Sequence, residues 1–210
     1  MTETTERLNV NRKDFYLVSF IGASFALFAV PIIINLNISF IPINIFNVLL
    51  LVFFFTIFAN LALGLAYLIG QKIPIVFQLA KFGAVGAFNT FLDWGVLNLL
   101  IAMTGIATGL GFSLFKGISF AIAAAGAFFW NKYWTFNSKK KSDKEEVGRF
   151  ILISASGFLI NVGLASLIMY LFKNSTPLTI EQLANISAAT ATLASLVWNF
   201  IGYKLFVFKK

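Results

Sequence analysis

The longest uncharged stretch of the chain limits its fold more than any other feature. From Phe15 to Gln71 the sequence contains no Asp, Glu, Lys or Arg. Only 11% of the 210 residues are charged, against about a quarter in a typical globular domain. A soluble domain of this size has too little interior to enclose such a run. The sequence therefore excludes a water-soluble fold.

Six segments are long and apolar enough to cross a bilayer, since about 20 helical residues span roughly 30 Å of hydrocarbon. Pro42, Pro74 and Pro177 fall in the breaks, where a proline removes no helical hydrogen bond. The sequence predicts an all-α integral membrane protein with six transmembrane helices behind a cytoplasmic tail at residues 1–14. The predicted spans are 15–36, 43–69, 77–103, 112–134, 150–172 and 183–206.

Basic residues predict the orientation of these spans. With the N-terminus in the cytoplasm, all of the 16 Lys and Arg residues except Lys116 and Lys173 lie on the inner side. We therefore expect an N-in/C-in topology in the cytoplasmic membrane. The net charge of +8 reflects this rule and contact with membrane lipids, and we expect no nucleic-acid partner.

The residue types that are missing weaken the case for an enzyme. The chain has no His and no Cys, which removes imidazole and thiolate as nucleophiles and as metal ligands. It also has no Gly-x-x-x-x-Gly-Lys-Ser/Thr phosphate loop and no Asp-x-Asp motif for a metal-bound nucleotide. We expect a protein that is not an enzyme and has neither a cofactor nor a metal site.

The last four spans contain an internal repeat. Residues 81–131 align without a gap with residues 149–199, and this alignment pairs Asp93 with Asn161. The second copy then gains four residues, after which Lys132, Trp134 and Phe136 align with Lys204, Phe206 and Phe208. Each copy is predicted to be a helical hairpin, and an even number of helices gives both copies the same orientation in the membrane.

Four short motifs mark the ends of these four spans. In chain order they read Lys81-Phe82-x-x-Val85-Gly86-x-x-Asn89-Thr90-x-x-Asp93, Asn131-Lys132-x-Trp134-x-Phe136, Arg149-Phe150 and Asn199-Phe200-x-x-x-Lys204-x-x-Val207-Phe208. With these motifs, residues 75–210 resemble the GtrA-like family of small membrane proteins. The resemblance implies a four-helix bundle built from the two repeated hairpins. Residues 15–74 form an additional N-terminal hairpin that the resemblance does not cover.

The resemblance implies translocation of a polyprenyl-phosphate-linked sugar across the cytoplasmic membrane, for cell-surface polysaccharide or glycolipid synthesis. Similar four-helix units are attached to polyprenol-phosphate glycosyltransferases, so the first alternative is a non-transporting anchor or subunit of a separate glycosyltransferase. The second alternative is a small multidrug-type exporter, for which Asp93 would be the membrane carboxylate. Because a four-helix unit encloses little volume, a homodimer with the path at its interface also stays open.

Asp93 and Lys116 are predicted to lie deep in neighbouring spans. At 1.5 Å per residue, Asp93 lies about 18 Å from Lys81 and Lys116 about 24 Å from Lys132, so the two charges come within reach of each other. Charges at this depth are expected to face the bundle interior or a wet cavity. Our hypothesis is that a lipid phosphate competes with Asp93 for Lys116, and a static link between the helices is the alternative.

The remaining candidate substrate-binding residues are cations and amides of the same four spans. Cations at the inner helix ends suit a phosphate headgroup, with ordinary positive-inside anchoring as the alternative. Amides suit either sugar hydroxyls or contacts between helices. The cations are Lys81, Lys132, Arg149 and Lys204, and the amides are Asn89, Asn131 and Asn199.

Overall fold

The computed structural model describes residues 11–35, 42–177 and 180–209, and every regular element within them is helical. Six helices in this part of the chain are long and apolar enough to cross a membrane, which confirms the predicted fold class. The elements are α1 (Arg12–Asn35), α2 (Ile45–Gly70), α3 (Pro74–Thr104), α4 (Gly109–Trp130), π1 (Asn131–Thr135), α5 (Lys144–Phe172), α6 (Ile180–Gly202) and π2 (Tyr203–Val207). The segments π1 and π2 are π-helical continuations of α4 and α6.

The helix ends follow local sequence signals. Asn44 caps α2 by accepting a hydrogen bond of 2.9 Å from the backbone N–H three residues later. Pro74 occupies the first turn of α3, and Gly105 ends that helix with a φ of 72° that favours glycine. Asp143 caps α5 by accepting a hydrogen bond of 2.7 Å from the N–H of Glu146, which lowers the pKa of the Asp143 carboxyl. The breaks between the predicted spans are therefore set by caps, proline and glycine.

Packing divides the helices into two compact units. The first unit ends at Asn137 and contains α1 to α4 with π1, whereas the second begins at Ser138 and contains α5, α6 and π2. In the first unit α1 packs against both α2 and α3, and α3 packs against α4. The N-terminal hairpin thus shares a unit with the first repeat copy. The predicted domain boundary at residue 74 stays a prediction.

Glycines let α1 approach both of its neighbours closely. A Cβ added at Gly22 of α1 would lie 2.6 Å from the backbone oxygen of Phe55 on α2. A Cβ added at Gly95 of α3 would lie 2.7 Å from the Cβ of Phe28 on α1. Small residues permit this approach where lipid provides no hydrophobic drive between helices. The core that these contacts enclose consists of Val18, Ile21, Leu63, Ala66, Phe77, Val85, Phe88 and Trp134.

Both repeat copies end in a π-helical segment. In π1 the N–H of Phe136 donates to the carbonyl of Asn131 at 2.9 Å, and in π2 the N–H of Phe208 donates to the carbonyl of Tyr203 at 2.8 Å. The alignment pairs Phe136 with Phe208, but it pairs Asn131 with Asn199 and not with Tyr203. Because α4 has 22 residues and α6 has 23, the structure shows no additional helical turn in α6, and the two π-helical segments correspond at an offset of 72 residues from Asn131 and Tyr203 onward.

Replacement of Gly22 by Ala should destabilise the first unit, because the new Cβ would overlap the main chain of α2. Overpacking of this kind costs about 1–3 kcal/mol of the free energy of unfolding. Thermal unfolding in detergent measures the effect. Gly64→Ala on α2 is the matched control, since a Cβ at that position meets nothing within 4 Å. An unchanged unfolding midpoint for Gly22→Ala would contradict the close contact between α1 and α2.

Candidate functional site

An ion pair joins α1 and α3 at the predicted cytoplasmic end of the first unit. The Nζ of Lys81 lies 2.5 Å from Oδ1 of Asp14, and the two side chains are 13% and 9% exposed. The indole N–H of Trp134, in π1, donates to the same oxygen at 2.8 Å. The ammonium of Lys81 also lies 4.5 Å from the ring centroid of Phe77. The Asp14 carboxylate neutralises the charge of the largely buried Lys81, and the cluster links α1, α3 and π1.

Asp14 is the ion-pair partner that the sequence analysis does not single out. The sequence predicts that it ends a cytoplasmic tail, but the structure places it in the first turn of α1, with 7% of its surface exposed. An acidic residue before an apolar run is typical of a helix start, and the predicted topology places it on the same side as Lys81. A phosphate that binds Lys81 would have to compete with this carboxylate.

A small pocket with aromatic walls lies beside the ion pair and shares Trp134 with it. Its volume is about 200 Å³, and its walls come from the start of α1 and from the junction of α4 with π1. The lining residues are Lys13, Leu17, Phe129, Trp130, Tyr133 and Trp134. Aromatic faces beside one exposed lysine can contact a group that is apolar on one side and anionic on the other.

Two further predicted site residues, Asn131 and Lys132, are buried in π1. Lys132 has no exposed surface, and its ammonium lies 5.7 Å from the ring centroid of Phe128 and 5.8 Å from that of Tyr133. The amide of Asn131 donates to the carbonyl of Ala127 at 2.9 Å. An ammonium in this position meets a lipid phosphate only after the helix end has moved.

The amides of Asn89 and Asn199 pack against glycines of the neighbouring helix. A Cβ at Gly126 of α4 would lie 2.8 Å from Oδ1 of Asn89, and a Cβ at Gly157 of α5 would lie 2.2 Å from Oδ1 of Asn199. Neither Oδ1 has a hydrogen-bond partner among the residues that the structure describes. The alignment pairs Asn89 with Gly157. In the first copy the amide is therefore on the first helix and the glycine on the second, whereas in the second copy the glycine is on the first helix and the amide on the second.

The structure confirms the predicted pairing of Asp93 with Lys116. The ammonium of Lys116 on α4 forms an ion pair with Oδ2 of Asp93 on α3, and the hydroxyl of Ser119 donates to Oδ1 at 2.6 Å. The Lys116 side chain is 41% exposed, the Asp93 side chain is 16% exposed, and Ser119 is fully buried. At 1.5 Å per residue, Asp93 lies about 16 Å before the end of α3 and Lys116 about 10 Å after the start of α4. The pair is therefore inside the predicted spans.

The second unit has a neutral contact between its two helices at the residue that aligns with Asp93, and the partner in this contact, Thr192, aligns with Ala124 and not with Lys116. Asn161, which the alignment pairs with Asp93, donates its side-chain N–H to the hydroxyl of Thr192 at 3.2 Å. Ser187, which aligns with Ser119, is 1% exposed and donates to the carbonyl of Leu183 at 2.7 Å. Both copies thus place polar contacts between their two helices, but only the first uses an ion pair there.

The two predicted cations of the second unit, Arg149 and Lys204, lie on different helical elements. Nη1 of Arg149 lies 3.5 Å from a carboxylate oxygen of Glu145, one turn earlier on α5, and the two side chains are 38% and 84% exposed. Nε of Arg149 has no hydrogen-bond partner within the described residues. Lys204 in π2 places its ammonium 5.6 Å from the ring centroid of Phe200. Lys204 is exposed, whereas Arg149 is partly buried.

Across residues 11–35, 42–177 and 180–209, no three acidic side chains come together in a way that could hold a metal ion. The arrangement instead offers lysines paired with carboxylates, one exposed lysine among aromatic rings and a half-exposed lysine inside a span. These groups can attract and release an anion by exchange of hydrogen-bond partners.

Comparison with known proteins covers mainly the repeat region. The family model described as the GtrA/DPMS transmembrane domain matches residues 81–208. The uncharacterized membrane protein YngA of Bacillus subtilis (strain 168) is 32% identical over 131 residues, which are 62% of this chain and 78% of that protein. No solved structure matches the chain. The matched region begins inside α3, so α1 and α2 lie outside the family model.

Replacement of Asp14 by Asn should destabilise the first unit, because it leaves the ammonium of Lys81 buried without a counter-charge. Breaking a buried pair in this way costs about 3–5 kcal/mol. Thermal unfolding measures the loss, and the double variant Asp14→Asn/Lys81→Met should recover most of it, since it removes both charges. Glu145→Gln is the control, because its ion pair is exposed and should contribute little. Equal unfolding midpoints for the wild type and Asp14→Asn would contradict this assignment.

Proposed function

Because this chain belongs to the GtrA/DPMS transmembrane-domain family, we propose that it moves a polyprenyl-phosphate-linked sugar across the cytoplasmic membrane. The protein is a multi-pass membrane protein. In the proposed reaction the headgroup passes from the cytoplasmic to the outer leaflet, where it is used for cell-surface polysaccharide or glycolipid synthesis. No covalent bond changes, so the protein acts as a carrier and not as an enzyme.

The observation that carries this proposal is the ion pair between Asp93 and Lys116. Charges inside a span are costly and mark substrate or ion paths by default. In the second repeat copy, Asn161, which aligns with Asp93, instead makes a neutral contact with Thr192. Closure of a hairpin therefore does not require charge. The lysine of the first copy, 41% exposed, is a cation that a passing phosphate can reach.

The proposed path begins at the predicted cytoplasmic end of the first unit. The sugar and phosphate first meet the aromatic pocket, where Lys13 supplies a positive charge and Trp130 an aromatic face. The phosphate then replaces the Asp93 carboxylate as the partner of Lys116. Asp93 keeps the hydroxyl of Ser119 as a donor during this exchange. When the phosphate leaves toward the outer leaflet, the ion pair forms again.

The direction of movement in this proposal comes from outside the protein. The sequence has no phosphate loop for a nucleotide, so consumption of the lipid-linked sugar in the outer leaflet, or a gradient, must drive net movement. In a vesicle without either, the protein should allow exchange in both directions until the leaflets are equal.

The non-transporting membrane subunit of a separate glycosyltransferase is the second candidate function. Of two cations expected to receive a phosphate, Lys81 is only 13% exposed and Lys132 is fully buried, which suits a rigid anchor better than an open entry. An anchor would leave leaflet exchange at the rate of empty vesicles. Its removal would instead lower the activity of the glycosyltransferase that it holds.

Leaflet exchange of a fluorescent polyprenyl-phosphate sugar in liposomes that contain only the purified chain tests the proposal. A reagent that destroys the fluorophore only in the outer leaflet reports how much lipid has crossed. The expected result is exchange that scales with the number of protein molecules per vesicle. Exchange no faster than in empty liposomes, with the helical fold intact by circular dichroism, would overturn the carrier and favour the anchor.

Replacement of Lys116 by Gln should slow exchange by roughly tenfold or more, which corresponds to loss of about 1.4 kcal/mol of stabilisation in the rate-limiting step. Asp93→Asn should both slow exchange and lower thermal stability, because it leaves Lys116 without a counter-charge. The double variant Asp93→Asn/Lys116→Gln should recover stability without recovering exchange.

Lys173→Gln is the control for these variants, since it removes the other lysine predicted on the outer side and leaves the ion pair intact. It should exchange lipid at the wild-type rate. If the double variant exchanges as fast as the wild type, the pair between Asp93 and Lys116 only links two helices and plays no part in transport.

A further inference from the structure

An apolar cavity of about 390 Å³ lies among α1, α2 and α3 in the first unit and is partly open to its surroundings. All of its lining residues are apolar, and small side chains such as Ala59 on α2 and Gly83 and Ala84 on α3 leave the space open. Its volume falls in the range of ligand pockets, about 300–1,000 Å³. The cavity therefore has the volume of a ligand-binding site and an entirely apolar lining.

An empty cavity of this size would be unfavourable. Protein interiors pack as densely as organic crystals, and atoms that line a void lose their dispersion contacts on one side. Water would gain nothing by entering, because it needs two to four polar partners and the lining offers none. The favourable occupant inside a bilayer is an apolar chain.

Along α1 the cavity begins one helical turn below Asp14, and along α3 it begins beside Lys81. Val18, which lines the cavity, follows Asp14 by four residues on the same face of α1, and Ala80 and Ala84 flank Lys81 on α3. Along α1 the lining extends from about 6 Å to about 16 Å below Asp14, at 1.5 Å per residue. A charged layer and a hydrocarbon layer thus follow each other along the membrane normal, as they do in an anionic lipid.

We propose that this cavity holds the isoprenoid chain of the polyprenyl-phosphate sugar, with the phosphate at the level of Asp14 and Lys81. The proposal rests on the proposed function, which supplies the identity of the lipid. The N-terminal hairpin provides two of the three walls of the cavity and lies outside the family model. In this chain the hairpin therefore adds a chain-binding site to the first repeat copy.

Gly83 offers a direct way to fill the cavity. A Cβ at Gly83 meets nothing within 4 Å, so a leucine side chain there can extend into the cavity that this residue lines. Gly86, one turn further along α3, also has nothing within 4 Å of its Cβ and does not line the cavity. Gly83→Leu and Gly86→Leu therefore make the same chemical change on the same helix, inside and outside the proposed site.

The test is photolabelling of the full chain in lipid nanodiscs. The probe is a polyprenyl phosphate with a diazirine on the isoprene unit nearest the phosphate, and labelled peptides are identified by mass spectrometry. We expect labels in α1, α2 and α3 at the residues that line the cavity. Gly83→Leu should reduce this labelling roughly tenfold, the effect of losing contact with a few methylene groups, whereas Gly86→Leu should leave it unchanged.

A second probe, phosphatidylglycerol with a diazirine in one acyl chain, separates the two sources of an apolar chain. If it labels the cavity as strongly as the polyprenyl probe, the site accepts ordinary membrane lipid and the assignment to the isoprenoid chain is overturned. Polyprenyl labels confined to other parts of the wild-type chain would overturn it as well, without any need for a variant.

Leaflet exchange measured on the same preparations separates this inference from the proposed function. Exchange by the wild type without cavity labelling would overturn the chain site and leave the carrier standing. Cavity labelling without exchange would support the chain site and overturn the carrier. If Gly83→Leu unfolds more readily than Gly86→Leu, Ala59→Leu tests the opposite wall of the cavity from α2.

Discussion

Two lysine–carboxylate pairs, one toward each end of α3, determine how the helices of the first compact unit align. Lys81 pairs with Asp14 of α1, and Asp93 pairs with Lys116 of α4. A charge without a partner is expensive in hydrocarbon, so each pair fixes the height of one helix relative to α3. Apolar side chains alone would allow these helices to slide, because lipid and leucine are equally apolar.

Close contacts between helices at glycine residues also hold the first unit together. Gly22 and Gly95 allow α1 to approach α2 and α3, and the contact of Asn89 with Gly126 holds α3 against α4. The second unit forms a similar hairpin with the amide of Asn199 against Gly157 and with a neutral contact between Asn161 and Thr192. Comparison of the two copies therefore indicates that a hairpin of this kind does not require the ion pair between Asp93 and Lys116, which belongs to the first copy.

Much of this arrangement could be predicted from the sequence because it depends on one-dimensional signals. Hydrophobic length gave the six helices, and counting residues from Lys81 placed Asp93 within reach of Lys116. The pairing of Lys81 with Asp14 could not be predicted, because Asp14 is distant in the sequence and lies just before the apolar run. Burial of Lys132 could not be predicted either, because it depends on the π-helical turn of π1, for which the sequence carries no simple signal.

The apolar cavity could not be predicted because it arises from side chains that are too small to fill the space among three helices. Small residues in a span usually indicate close helix contact, and Gly22 shows that behaviour. Gly83 has the same residue type but open space around it. Only the three-dimensional packing distinguishes a glycine that admits a neighbouring backbone from one that leaves room for a ligand.

The N-terminal hairpin makes the two repeat copies unequal, and this inequality has a physical consequence. Lys81 and Arg149 are aligned, yet Lys81 has a buried carboxylate partner from α1 whereas Arg149 has an exposed one from its own helix. Water screens the second pair and the bilayer strengthens the first. Competition by an anion is therefore easier for Arg149 than for Lys81, because the carboxylate partner of Lys81 is buried and that of Arg149 is exposed.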